Sequence, residues 1–250
     1  MTLVGQRMRL SPPSWERKRI KHHLSRIVGG GTPSKEKIEY WTDGTIPWVS
    51  PKDMKRRLID NAEDWITKEA VLGSATSIVA PGSVLMVVRS GILKHSLPIA
   101  INVVPVALNQ DMKALAFRHT LLPNFFVYWI EGQASNLLLE WGQIGATVDN
   151  INVDVMLNSP IATPDIKIQK GIADFLDSET AHIDQLIDRV GGQSAAKNAL
   201  SGTFLSVLLE KRVALITAAV TGQIDISAWQ RRGDNQRQLE NVEARAEVKA

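Results

Sequence analysis

Few residues in this chain have the spacing of catalytic groups. The best candidates are two carboxylate–lysine pairs, Asp53 with Lys55 and Asp165 with Lys167. Both resemble the pairings of magnesium-dependent nucleases, so a nuclease is one hypothesis. The same spacing is common by chance, and its ordinary interpretation is a solvated turn for Asp53. For Asp165 it is a helix start, where a carboxylate interacts favourably with the helix dipole.

Other catalytic classes find little support in the residues. The Asn/Asp-Pro-Pro-Tyr/Phe motif of adenine methyltransferases is absent, and the five histidines show no HExxH spacing. With no cysteine in the chain, thiol catalysis, disulfides and cysteine-ligated zinc are excluded.

Composition predicts an ordinary globular protein, with 44% hydrophobic and 22% charged residues. No apolar run approaches 18 residues, so we expect no membrane span, no signal peptide and a cytoplasmic location. The net charge is +3, and residues 1–26 carry seven basic side chains against one acidic. This bias is compatible with a polyanionic partner.

One loop has the composition of an anion-binding turn. Residues 29–35 read GGGTPSK. Glycines let the backbone approach a ligand closely, and Thr32, Ser34 and Lys35 could donate hydrogen bonds to phosphate oxygens. The loop lacks the ending of a P-loop and the strand–GxGxxG–helix context of a dinucleotide site, so a flexible turn remains the ordinary interpretation.

Arg89 ends the apolar run 83–88 and is followed by Ser90-Gly91. Its guanidinium should therefore project from the rim of a sheet. A surface salt bridge and a nucleic-acid contact are both open interpretations of that position.

The sequence predicts two structural units that would position these residues. Many short strands and few helices through residue 160 indicate a compact α+β or α/β domain. From Ile166 the apolar spacing becomes helical and continues to residue 221, about 85 Å if unbroken. We predict a partner helix as cover for this stripe, in a coiled-coil-type pair or bundle; the alternative is a helical hairpin packed on its own domain. The predicted helix-pairing residues are Ile172, Phe175, Leu176, Ile183, Leu186, Leu205, Leu208 and Leu215.

Residues 191–202 interrupt this stripe with three glycines, which favours a loop or kink there. If that segment were helical, it would lengthen the rod by about 16 Å. The predicted units are a domain at 1–163, a helical region at 164–226 and a disordered tail at 227–250.

Several blocks follow one another in an order typical of one family. They are GGGTPS at 29–34, IPWVSPKD at 46–53, GSVL at 82–85, RSG at 89–91, QKGIADFLD at 169–177, ETAHID at 179–184 and EKRVALITAAVTG at 210–222. Over residues 14–226 the chain resembles the DNA specificity subunit of type I restriction–modification systems.

The resemblance implies a non-catalytic subunit with a target-recognition domain and a spacer helix. In that family two such domains read a split double-stranded DNA sequence. Partner subunits methylate adenine with S-adenosylmethionine, and a restriction (motor) subunit uses ATP and Mg²⁺ to cut DNA. This chain has one recognition domain where the family usually has two, so we expect either a half-length form or a truncated copy. A half-length form would pair with a second copy or a second half-subunit.

Side-chain chemistry then suggests which residues contact DNA. Arginine and glutamine can pair with two atoms of guanine and adenine, respectively. We expect base contacts from Arg89, Lys94, Gln143 or Asn109, and phosphate contacts from Thr32, Ser34, Lys35, Lys52 and the basic strip before residue 27. The full predicted DNA-binding set is Thr32, Ser34, Lys35, Ser50, Lys52, Arg89, Ser90, Lys94, Asn109, Gln143 and Thr147. A second alternative to this function, beside the nuclease, is a truncated or orphan copy that acts as a helical docking module and binds the methyltransferase without reading DNA.

Overall fold

The computed structural model describes residues 11–143, 148–192 and 199–227, together with 229 and 231. The strands are β1 (Glu16–Arg19), β2 (Leu24–Gly29), β3 (Ile46–Val49), β4 (Leu58–Ile59), β5 (Asp64–Ile66), β6 (Val84–Val87), β7 (Ile99–Asn102), β8 (Ala107–Leu108), β9 (Met112–Phe117), β10 (Gly142–Gln143), β11 (Asn150–Ile151) and β12 (Pro160–Thr163). The helices are α1 (Ile20–His23), α2 (Lys68–Leu72), α3 (Pro123–Glu131), α4 (Ala134–Trp141), α5 (Val153–Asn158), α6 (Ile166–Gly192) and α7 (Ala199–Val220), with short 3₁₀ turns at Ile38–Tyr40, Pro51–Asp53 and Gly91–Lys94.

A mixed sheet forms the centre of the domain. Its strand order is β2-β9-β6-β7-β4, and a second sheet has the order β5-β3-β8. All pairs in the first sheet are antiparallel except β4–β7, and β3–β8 is also parallel. Every residue of β6 and β7 is buried, as expected for short apolar runs covered on both faces.

Helix α3 lies between the sheet and the C-terminal helices, since it contacts β7, α6 and α7. Pro123 occupies its first turn, where a missing N–H is tolerated. The six residues Phe125 to Ile130 are buried, so the helix is covered all round. Aromatic rings continue this core, with Phe126 stacked on Trp129 at 5.9 Å between centroids.

The C-terminal helices pack on the domain and on each other. Ile172 and Leu176, in the first half of α6, belong to the main hydrophobic core, and so do Ile216 and Val220 near the end of α7. The two helices contact each other, and because their core-facing parts lie at opposite ends, they are antiparallel. They form a helical hairpin packed on its own domain, which is the alternative to a partner helix as cover for the stripe.

The length of about 85 Å, which assumed an unbroken helix, therefore does not apply. Helix α6 has 27 residues and α7 has 22. Asp165 Oδ1 accepts the backbone N–H of Ile168 at 2.9 Å and starts α6. Gly222, with a φ of 73°, ends α7. Of the predicted loop or kink at residues 191–202, the first two residues end α6 and the last four begin α7. Residues 193–198 lie outside the described part, as does most of the predicted disordered tail.

Within the described residues, no helix combines the length and the apolar character needed to cross a bilayer.

One buried histidine predicts how stability changes with pH. His23 is fully buried, its Nδ1 lies 2.9 Å from the Thr120 hydroxyl oxygen, and burial lowers its pKa from 6.5, against a smaller raising effect of Glu16. The pKa of His23 is lower in the folded chain, so the unfolded chain takes up a proton at a higher pH than the folded chain does. The stability conferred by neutral His23 is therefore fully present above about pH 6.5, and it is lost as the pH falls from there through the lower pKa of the folded chain. The urea midpoint of His23→Gln should vary less between pH 5 and pH 7 than that of the parent chain. The exposed His22→Gln control should keep the parental dependence, and an unchanged slope in His23→Gln would contradict this assignment.

Candidate functional site

The sheet brings most of the predicted contact residues to one edge. Gly29 at the end of β2 pairs with Lys113, and Val87 at the end of β6 pairs with Met112, so both strands end where β9 begins. Strands β3 and β8 run parallel and end beside each other. We call this the loop edge: residues 29–35, 50–53, 88–98, 109–111, 142–143 and 148–150.

Contacts connect these loops into one surface. The Thr32 hydroxyl donates to the side-chain oxygen of Gln110. Arg89 Nε lies 2.6 Å from Asp111 Oδ1, and the Ser90 N–H donates to the carbonyl of Asp149 at 3.1 Å. Residues far apart in the chain, from 32 to 149, therefore share one continuous edge.

Two predicted base contacts line the same depression of the loop edge. Lys94 and Gln143 border an open cavity of about 500 Å³, together with His95, Leu139 and Asn150. Both Lys94 and Gln143 are exposed. Arg89 is near this cavity because its backbone pairs with that of Asn150, and its side chain is 52% exposed. The structure thus brings Arg89, Lys94 and Gln143 together.

Asn109 and Ser50 are buried and hydrogen-bonded within the chain. Asn109 is 7% exposed, and its side-chain oxygen accepts the N–H of Asp111 at 2.7 Å. Ser50 is 5% exposed and its hydroxyl donates to Asp53 Oδ2 at 2.9 Å. Both side chains hold turns of the loop edge, which weakens their case as DNA contacts.

The remaining predicted residues differ in their surroundings. Ser34 and Lys35 are exposed, and the Ser34 carbonyl accepts the Trp41 indole N–H at 3.1 Å, which holds the loop. Lys52 lies 3.0 Å from Asp64 and 3.2 Å from Glu63. Its hydrogen bond to Asp64 raises its pKa. These two carboxylates balance its charge, which weakens its case as a phosphate contact. Thr147 lies outside the described residues.

Most of the basic strip before residue 27 lies away from the loop edge, although Arg26 lies in β2 three residues before Gly29. The strip occupies β1, α1 and the first residues of β2, and β2 reaches the loop edge only at Gly29. Six residues of strand span about 20 Å. Most of the strip is therefore a separate surface, where Arg19 and Lys21 both donate to the side-chain oxygen of Asn158.

The glycines of the 29–35 loop serve packing and not an open anion cradle. The N–H of Gly31 donates to the Leu108 carbonyl at 2.8 Å, and that of Gly30 to the Met112 carbonyl at 3.3 Å. A side chain at Gly30 would place its Cβ 1.8 Å from the carbonyl oxygen of Asn109. Their backbone N–H groups are thus already used, and the glycines let two loops lie in contact.

Gly30→Ala should lower the free energy of unfolding by about 1–3 kcal/mol, because the methyl group forces the 29–35 loop away from the 109–111 turn. Gly91→Ala is the matched control, since a Cβ there would meet nothing within 4 Å. We expect the control to stay within about 0.5 kcal/mol of the parent in urea unfolding. Equal effects of the two substitutions would contradict the packing role.

The carboxylate–lysine pairs have local structural roles. Asp53 Oδ2 accepts both the N–H and the hydroxyl of Ser50, and its Oδ1 accepts the N–H of Glu63 at 2.8 Å. Asp165 caps α6, as described above. In the part of the chain that the structure describes, no cluster of three or more His, Asp or Glu side chains could hold a metal ion.

Sequence reasoning missed residues of the loop edge. Gln110 is exposed and bonded to Thr32, whereas its predicted neighbour Asn109 is buried. Asp111 was also missed, although it pairs with Arg89. The signal was the polar triplet 109–111 between two apolar strands, which marks a turn without showing which side chain faces outward.

The predicted helix-pairing residues are used within the chain. Ile172, Phe175 and Leu176 belong to the main core, and Leu215 packs against it. Ile183 on α6 and Leu208 on α7 are also buried, while Leu186 and Leu205 are half-buried. The chain thus covers much of this stripe itself.

A different apolar surface remains exposed on α7. Phe204, Val207, Leu209 and Val213 are each about half exposed. Phe204 and Val207, three residues apart, lie on one flank of the helix, and Leu209 and Val213, four apart, lie on the other.

Fold and site together define a class of protein: a mixed α/β domain with an exposed loop edge at one side of its sheet and a helical hairpin at its C-terminal end. Residues 12–189 match the family model of the type I restriction modification DNA specificity domain. That match covers most of the chain, which belongs to this family.

Two relatives of the chain are specificity subunits of type I restriction enzymes. The chain is similar to the specificity subunit of the type I restriction enzyme EcoR124I/EcoR124II of Escherichia coli, at 44% identity over 154 residues, which are 62% of this chain and 38% of the relative. It is 28% identical over 180 residues to the MjaIX specificity subunit of Methanocaldococcus jannaschii, covering 71% and 39% of the two chains. The chain therefore spans about two fifths of the length of these relatives.

Solved structures show the same fold. The HsdS subunit from Thermoanaerobacter tengcongensis has a TM-score of 0.54 at 16% identity, over 89% of this chain and 50% of that one. A chain from a study of the complex assembly and conformational transition of the type I R-M system has a TM-score of 0.56 at 19% identity, over 85% and 47%. At these identities the likeness concerns the fold alone.

Proposed function

We propose that the loop edge reads one part of a split double-stranded DNA sequence and that the helical hairpin attaches this reader to partner subunits. One observation carries the proposal: exposed basic and amide side chains lie together on a single edge of the sheet. Those side chains are Arg89, Lys94, Gln110 and Gln143. Membership of the specificity-domain family supports the same function.

The proposed roles follow from side-chain chemistry. Arg89 and Lys94 would contact guanine, which presents two acceptors in the major groove. Gln143 and Gln110 would contact adenine, which presents a donor and an acceptor there. Thr32, Ser34 and Lys35 would bind phosphates and fix the register of the duplex. Gln110 takes the place that the sequence assigned to Asn109.

The proposed chemistry belongs to partner subunits. An adenine methyltransferase would use S-adenosylmethionine, and a restriction (motor) subunit would use ATP and Mg²⁺. A second reader, on another chain or elsewhere in the same protein, would contact the other part of the sequence. The exposed apolar flanks of α7 support a helical partner on the hairpin, in a coiled-coil-type arrangement.

Those flanks also support a second candidate function, a docking module that binds the methyltransferase without reading DNA. Selection of binding sites from a random duplex library separates the two functions. A reader enriches a motif, whereas a docking module enriches none.

Arg89→Ala should weaken binding to the selected site by about 10- to 100-fold, equivalent to about 1–3 kcal/mol for one two-atom base contact. Binding to a scrambled duplex should stay unchanged. Lys35→Ala is the comparison, since loss of a phosphate contact weakens both duplexes alike and lowers the salt slope by about 1. Fluorescence anisotropy at several salt concentrations measures both effects.

Arg89 lies 2.6 Å from Asp111, so its removal also leaves a carboxylate at the loop edge. The double variant Arg89→Ala with Asp111→Asn separates this repulsion from the loss of a contact. If the double variant recovers full affinity and specificity, Arg89 does not read a base.

A further inference from the structure

Six polar side chains meet where the hairpin joins the domain. They border an open cavity of about 510 Å³ between the loop before β4, helix α3 and the hairpin. We call them the junction network: Arg57, Tyr128, Glu131, Asp177, Asp184 and Arg212.

Arg57 binds both sides of the junction. Its guanidinium carbon lies 3.3 Å from the centre of the Tyr128 ring on α3, and its Nη1 lies 3.3 Å from Asp177 Oδ1 on α6. The Tyr128 hydroxyl donates to the same Asp177 oxygen at 2.6 Å. Burial raises the pKa of Tyr128 to about 12, so this hydroxyl stays a proton donor at neutral pH. A cation, a ring and a carboxylate thereby hold α3 and α6 together.

Arg212 extends the network to α7. Its Nε lies 2.9 Å from Asp184 Oδ1, and its Nη1 lies 3.5 Å from Glu131 Oε2. The other oxygen of Glu131 lies 4.0 Å from Arg57 Nε. Glu131 therefore stands between the two arginines, and both helices of the hairpin are tied to α3.

Among the described residues, α6 has two polar attachments to the domain, and the junction network is the second of them. The first is Gln169, which is fully buried; its side chain accepts the N–H of Leu122 at 2.8 Å and donates to the Thr120 carbonyl at 3.0 Å. Asp177 follows about 12 Å further along the helix. Ile172 and Leu176 also hold α6 against the core, but apolar contacts are non-directional. Two sets of hydrogen bonds and ion pairs along the helix are directional and can fix its orientation.

Stability alone does not explain this arrangement. Partly buried ion pairs gain little over apolar side chains of similar volume, because both charges lose hydration. Arg57 Nη2 is moreover buried without a hydrogen-bond partner among the described residues, which costs free energy. Ion pairs and hydrogen bonds differ from apolar contacts in being directional, so they can fix an orientation.

We propose that Arg57 is a positioning residue, which through Tyr128, Asp177 and Glu131 sets the direction of the hairpin relative to the loop edge. If the loop edge reads DNA as proposed above, that direction sets how far this reader lies from a second one. The network then determines which spacing between two half-sites the assembly accepts.

The distance between the domain and the hairpin tests this proposal without DNA. The chain has no cysteine, so Glu36→Cys and Arg189→Cys, both at exposed positions, can be spin-labelled selectively in the full chain. Labelled protein diluted with unlabelled protein removes distances between chains. We expect Arg57→Met to widen the distance distribution from pulsed electron resonance at least two-fold.

Arg56→Met is the matched control, because Arg56 is the adjacent residue and pairs only with exposed Asp60 among the described contacts. Its distribution should equal that of the parent. Tyr128→Phe keeps the ring but removes the hydroxyl donor to Asp177, and it should widen the distribution less than Arg57→Met. It serves as the test if Arg57→Met does not fold. The proposal is overturned if Arg57→Met leaves the width of the distance distribution unchanged, or if Arg56→Met widens it equally. If Arg57→Met fails to fold, an unchanged width in Tyr128→Phe overturns it.

Site selection with the assembled complex tests the consequence for DNA. Arg57→Met should enrich the parental half-sites at several spacings, whereas the parent enriches them at one. If the parent enriches no motif, the proposed function fails, and the distance measurement still tests the positioning role of Arg57. If both enrich the same single spacing, the positioning role fails and the proposed function stands.

Discussion

Leu176→Ala is expected to lower the free energy of unfolding of the whole chain by about 2–5 kcal/mol, since it leaves a cavity in a fully buried position. Leu176 lies on α6 but belongs to the main core of the domain. If domain and hairpin share that core, they should unfold in one transition. Urea unfolding followed by circular dichroism reports mainly the helices, and tryptophan fluorescence reports the domain, because six of the seven tryptophans lie before residue 142.

Ile168→Ala provides the control on the same helix. Ile168 is 38% exposed, so its truncation should cost well under half as much. Two separate transitions, with only the dichroism signal shifted by Leu176→Ala, would show that the helical region 164–226 folds as a unit of its own. One shared transition would instead join it to the domain.

Placing charges on α7 is expected to abolish association with a partner helix. The double variant Phe204→Glu with Val207→Glu puts two carboxylates on one apolar flank, where a partner would have to bury them. We expect affinity for the partner subunit to fall more than 100-fold, equivalent to about 2.7 kcal/mol. Light scattering after gel filtration, alone and with the methyltransferase, measures the assembly.

Ser206→Glu adds a charge to an exposed polar position of the same helix and should leave assembly unchanged. Leu209→Glu with Val213→Glu tests the opposite flank. Retained assembly in both double variants would show that the partner does not cover α7, and would remove the hairpin from the proposed docking surface.

The helical region illustrates what periodicity can predict. The spacing of Ile172, Leu176 and Ile183 correctly indicated a buried stripe, because side chains at these steps share one helix face. Periodicity carries no information on which surface covers the stripe. The three glycines of residues 191–202 were the available signal for a reversal, and the chain does use its own second helix as cover.

The candidate site shows a similar limit. The position of Arg89 after an apolar strand correctly indicated an exposed guanidinium. In the polar turn 109–111 after β8, however, Asn109 faces inward and Gln110 faces outward. That choice depends on the hydrogen bond from the N–H of Asp111 to Asn109, which sequence alone does not reveal. Arg57 was missed because its partners Tyr128 and Asp177 lie far along the chain.

We have proposed that the loop edge reads DNA sequence. The most direct test of this proposal is selection from a random duplex library by the full chain, with the quadruple variant Arg89→Ala, Lys94→Ala, Gln110→Ala and Gln143→Ala in parallel. We expect the parent to enrich one motif and the variant, still folded and still bound to duplex non-specifically, to enrich none. The same motif from both proteins, or none from the parent, would contradict the proposal.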